Sequence, residues 1–120
     1  MSLRLFAVIA ALFGACGIIL GALAAHKAPG SGLDQASQML LIHAVAMLAT
    51  VALAERGTLP DGGGRIALIG WTLGTVLFAG DITARALGGF RLFPLAAPTG
   101  GSLLIASWLL LAVSAAMGRK

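Results

Sequence analysis

The chain has 120 residues, of which 59% are hydrophobic and 10% charged. An ordinary soluble domain is roughly 45–50% apolar and about 25% charged, so this chain, with a mean hydropathy of +1.01, cannot clothe a water-facing surface and reads as one membrane domain. Its formal charge of +4 is scattered between apolar runs, which excludes a nucleic-acid footprint, and its one cysteine excludes an internal disulfide.

A membrane-crossing helix needs about 20 predominantly apolar residues. The first candidate covers about 5–25 and places Ala10, Gly14, Gly17 and Gly21 on one face. Gly17-x-x-x-Gly21 is a spacing that lets two helices approach closely. Packing within the chain is preferred to a homodimer seam, because four helices need such faces in any case. A cleaved signal peptide competes with this reading, as does a lipoprotein site in "FGACG". The apolar stretch is longer than the roughly 7–15 residues of a signal region and continues past Cys16, so a retained span is expected.

The second span covers about 37–54, with Gln38 at its mouth and His43 inside it. The third covers about 66–87; it repeats the small-residue spacing at Gly70 and Gly74 and ends in "LFAGDITARAL", which carries Asp81 and Arg85. The fourth covers about 101–118. The second and fourth look short, which predicts little tilt or local thinning of the bilayer. In the connection "GGFRLFPLAAPTG", Phe90, Leu92, Phe93 and Leu95 are apolar enough to lie in the interface. Short links favour antiparallel neighbours, so the expected fold is an all-α, up-down-up-down four-helix bundle. Arg4, Arg56, Arg65, Arg119 and Lys120 fall on the side of the termini; Lys27, Arg85 and Arg91 fall on the other. That bias puts both termini in the cytoplasm.

Polar residues inside a membrane are costly and are functional-site candidates by default. Asp81 and Arg85 are spaced i, i+4 with the acid first, which allows an ion pair within one helix. Counted from the span ends, His43 and Asp81 both lie about 9 Å deep from the same side and are expected to be able to meet. His26 closes the first span there, so His26, Gln38, His43, Asp81 and Arg85 make a candidate polar pocket. Pro98 to Ser102 opens the fourth helix on that side. Thr99, Gly100, Gly101 and Ser102, with Arg85 and Arg91, form a candidate anion or lipid-headgroup site, although a plain helix cap by Thr99 or Ser102 is the preferred reading of that stretch, since every helix needs a cap. His26, His43 and Asp81 lack recognised metal-ligand spacing, so no metal and no cofactor is expected. No nucleophile elbow, Walker loop or dinucleotide fingerprint is present.

"GALAAHKA", "ASQMLLIHAVAML", "LFAGDITARAL" and "FPLAAPTGGSLLIASWLLLA" occur in that order. Together they resemble a bacterial family of small four-span membrane proteins catalogued as a domain of unknown function, number 423 in that series; a related small transmembrane protein occurs in animal mitochondria. Ala24 stands where the family commonly has a second glycine, and Lys27 replaces the last one of that motif. Asp81 and its neighbours stand where a serine and tyrosine are frequent, whereas His26, His43, Gly100 and Gly101 match. The resemblance implies a multi-pass inner-membrane protein and names no activity.

The expectation is therefore a non-catalytic bundle whose outward polar pocket binds a lipid headgroup or small anion, or docks another membrane protein. Arg85, Arg91 and residues Gly100 to Ser102 would hold the anion, over a floor of His26, His43 and Asp81. A small transporter or proton relay using His43 and Asp81 is the alternative, since imidazole titrates near neutrality; it would require a homo-oligomer to enclose an aqueous path. A metal site on His26, His43 and Asp81 is the third reading.

Overall fold

The computed structural model describes residues 2–27, 29–60 and 62–118. Arg119 and Lys120, which entered the charge count above, lie outside the described residues. Four helices follow one another: α1 (Leu3–His26), α2 (Leu33–Glu55), α3 (Gly63–Thr83) and α4 (Ala96–Met117). A π-helical turn, Ala84–Gly88, prolongs α3. All four are long and apolar enough to cross a membrane. In lipid a helix is the open-ended way to satisfy every backbone N–H and C=O within one segment. The chain is thus an all-α, four-helix membrane bundle.

The helices begin earlier than hydropathy alone suggests. Ser2 caps α1, its Oγ accepting from Leu5 N–H at 3.2 Å. Gly32 starts α2 with φ +91°, and the first turn takes in Asp34, whose charge suits a helix N-terminus. The start of α4 moves furthest. It opens at Ala96, so Pro98 sits inside the first turn, where a missing N–H costs nothing. Composition placed these ends wrongly because first turns tolerate Asp, Gln and Pro that read as loop. At 23 and 22 residues, α2 and α4 run about 33–35 Å. They are not short, and the expectation of thinning is withdrawn.

α1 packs along α2, α4 packs along α3, and α2 against α3 joins the two hairpins. Small residues set both close contacts, because lipid tails offer no hydrophobic drive and helices must gain from tight packing. On α1, Gly14 faces Ala44, Gly17 faces Leu40 and Leu41, and Gly21 faces Ser37. The Ser37 hydroxyl donates to Gly17 C=O at 2.6 Å across this seam. On α3, Gly63 faces Ser114, Gly70 faces Ser107, and Gly74 faces Leu104 and Gly100. Gly100, Ser107 and Ser114 recur every seven residues, the period that keeps one face of α4 on its partner. Between the hairpins, Trp71, Met47, Leu68, Thr50 and Thr75 are fully buried.

At Gly100 the approach is backbone to backbone. A Cβ on Gly100 would lie 2.6 Å from Phe78 N and 2.7 Å from Gly74 O, whereas one on Gly101 would meet nothing nearer than 3.8 Å. Backbone cannot step aside as a side chain can. Gly100→Ala is therefore expected to destabilise the bundle by about 1–3 kcal/mol, the usual cost of overpacking. Gly101→Ala should be neutral or gain up to about 1 kcal/mol of helix propensity. Reversible unfolding in mixed micelles measures both, and equal stability of the two variants would refute this seam.

Candidate functional site

His43 does not meet Asp81. Because α2 begins at Leu33, His43 lies ten residues in, or about 15 Å from the helix start, close to the midpoint of the span. Its neighbour on α3 is Trp71, with ring centroids 6.2 Å apart. Trp71 is itself about 15 Å along the helix from Asp81. The matching-depth estimate failed because it counted from Ser37, one turn too late.

The surroundings of His43 are aromatic and closed. Trp108 Nε1–H donates to His43 Nε2 at 3.1 Å, and His43 Nδ1 lies 2.8 Å from Met39 C=O. An indole N–H only donates and a carbonyl only accepts, so His43 is held as the Nδ1–H tautomer with both nitrogens occupied. Trp108 lies 5.9 Å from His43 and 4.7 Å from Trp71 between centroids, which ties α2, α3 and α4 together at mid-membrane. A proton added at Nε2 must first displace the Trp108 N–H. Neither tryptophan was singled out from the sequence; the signal was present in two indoles on antiparallel neighbours, one of them in the same span as Gly70.

Asp81 is buried and has two partners. Its Oδ2 pairs with Arg85 Nε at 3.3 Å within the helix, and its Oδ1 accepts from Leu92 N–H at 2.9 Å. The second bond reaches into the connection before α4. Sequence spacing exposed the first partner, while a loop amide carries no side-chain signature and was missed. His26 and Gln38 are exposed on α1 and α2, so the five-residue polar pocket does not assemble. Among the described residues no three of His, Cys, Asp and Glu come together, and the arrangement of His26, His43 and Asp81 as ligands is not formed.

A different grouping does form at the end of the bundle away from the termini. A cavity of about 410 Å³ is lined by Phe78, Asp81, Arg85, Arg91, the first turn of α4 from Leu95 to Pro98, and Gly101. A second, of about 360 Å³, lies on the other side of Arg85 and Ala97, against Gly32 and Gln35. The floor is Phe78 and Asp81 instead of the two histidines. The helix amides offered to the cavity also differ from expectation. Thr99 N–H is bonded to Leu95 C=O and the Ser102 hydroxyl to Pro98 C=O, so neither caps the helix, and Gly100 to Ser102 lie within it. Ala96 N–H is taken by Phe93 C=O, and Pro98 has no N–H. That leaves Ala97 N–H as the first-turn amide without a helix acceptor. The helix is entered through Leu95 at φ +66°, a left-handed conformation costly for a residue with a branched side chain. Phe90, Leu92, Phe93 and Leu95, in the connection that leads into α4, are exposed.

The His43 cluster yields a test. Trp108→Phe keeps the ring contact and leaves His43 Nε2 without a donor, at an expected loss of about 1–2 kcal/mol for a hydrogen bond between membrane helices. A matching loss in His43→Phe, with no further loss in the double variant, is expected in the same unfolding assay. Additive losses would show that the two side chains do not act together.

The model of the family described as "Protein of unknown function (DUF423)" matches residues 20–101. A curated relative, the "UPF0382 membrane protein" of Haemophilus influenzae, is 29% identical over 109 residues, covering 85% of this chain and 86% of its own length. No solved structure matches. With the family model spanning the last two turns of α1 through the first turns of α4, where the cavity residues and Gly63, Gly70, Gly74 and Gly100 lie, the chain belongs to the DUF423 family of membrane proteins.

Proposed function

We propose that this protein binds the phosphate group of an anionic lipid headgroup at the end of the bundle away from its termini, as a non-catalytic membrane protein. The observation that carries this reading is the convergence of Arg85 and Arg91 on one cavity beside the first turn of α4. Two guanidinium groups supply forked donors suited to phosphate oxygens. The helix start adds a partial positive charge and a free amide. The cavity volume lies within the range of small-molecule sites, and the exposed Phe90, Leu92, Phe93 and Leu95 suit the interfacial depth at which a headgroup sits. With the positive-inside bias, the reading places the protein in the bacterial inner membrane, termini in the cytoplasm and cavity toward the periplasm.

Native mass spectrometry from mild detergent tests it. Wild-type protein is expected to retain an anionic phospholipid such as phosphatidylglycerol. Arg85→Ala and Arg91→Ala should each weaken retention about tenfold or more, the scale of one charge-assisted hydrogen bond of about 1.5–3 kcal/mol. Unchanged retention in the double variant overturns the assignment. Pulling down no lipid at all, while added inorganic phosphate still binds, assigns the cavity to a free anion.

A further inference from the structure

The sequence presents Asp81 as a charge that Arg85 can neutralise and as part of a pocket floor. The geometry points to more: we infer that Asp81 is the positioning residue of a two-arginine clamp, holding both Arg85 and Arg91 in place with its two oxygens. This rests on the anion-site reading above.

One oxygen takes Arg85 through Nε at 3.3 Å. That leaves the two Nη groups, the fork that grips a phosphate, unclaimed by the carboxylate. The other oxygen takes Leu92 N–H at 2.9 Å. This amide belongs to the peptide that joins Arg91 to Leu92, so the bond anchors the backbone from which Arg91 projects. Arg85 sits in the π-turn and Arg91 in the connection, and the Asp81 side chain bonds to both segments at once. Asp81 itself is 3% exposed, and its only freedom is a short side chain whose oxygens are both engaged. Such a carboxylate is a fixed reference point for the two cations. It lines the same cavity as the arginines, so the cavity carries one net positive charge, matched to the single negative charge of a phosphodiester.

The idea has a distinctive sign. Asp81→Asn makes the cavity more positive, and on charge alone anion binding should strengthen. A positioning role predicts the reverse, a weakening of about tenfold or more, as for other groups that orient a ligand's contacts. Binding of phosphatidylglycerol to wild type and Asp81→Asn in nanodiscs reads this, with the near-ultraviolet signal of Trp71 and Trp108 as a check that the bundle is intact. Tighter binding by Asp81→Asn overturns the inference. A second readout needs no ligand: amide exchange at Leu92, which should be slow in wild type and faster by about tenfold in Asp81→Ala. If wild type binds no anionic lipid, the function proposed above fails by itself, and the exchange rate still decides: faster exchange upholds the Asp81 anchor, and equal exchange removes it.

Discussion

Everything at the cavity end of this protein depends on how closely two backbones can approach at Gly74 and Gly100. There the peptide of α4 rests directly on the peptide of α3, at distances that leave no room for a methyl group. The contact fixes the axial register of the second hairpin. Two turns in one direction, that register sets Trp108 against His43. In the other direction it lays the opening turn of α4 beside Asp81 and Arg85. A slip by one residue would separate the indole from the imidazole and carry Ala97 away from the cavity. In a medium with no hydrophobic force between helices, glycine is the means of turning shape into position.

The polar side chains obey one rule in two settings. At mid-membrane, where water is absent, His43 has both nitrogens matched and the cluster is closed. At the far end, Asp81 also has both oxygens matched, yet its partners include an arginine that is 45% exposed. The first arrangement occupies both imidazole nitrogens, one within α2 at Met39 C=O and one across to Trp108 on α4. The second leaves guanidinium donors over. That surplus, more than depth or charge, separates a structural polar group from a candidate binding one. Among the described residues, Trp71 Nε1 and Thr75 Oγ1 are buried without a protein partner and break the rule.

Much of the architecture was legible in the residues. Four apolar runs with short polar links specify four antiparallel helices, and glycines at spacings of three and four mark the faces that pack. The i, i+4 spacing offered Arg85 as one of two partners for Asp81, with His43 the other, and the structure selects Arg85. What the residues hid were helix ends and cross-chain geometry. Pro98 and Asp34 look like loop residues because their chemistry suits both a loop and a first helical turn, and hydropathy cannot separate the two. That error of four or five residues moved His43 by a full turn in depth and produced a false meeting with Asp81. The bond from Leu92 N–H to Asp81 was beyond reach for another reason: every residue but proline has the same amide, so a backbone donor leaves no mark in a sequence.

Both tryptophans of the chain stand 4.7 Å apart, at an interplanar angle of 60°, one on α3 and the other on α4. Two identical chromophores at that separation share their excited states, and the sense of their mutual rotation is printed into circular dichroism as a paired positive and negative band. The signal exists only while the second hairpin is closed in register. The protein therefore carries its own optical gauge of assembly, readable in any transparent membrane mimic without a label.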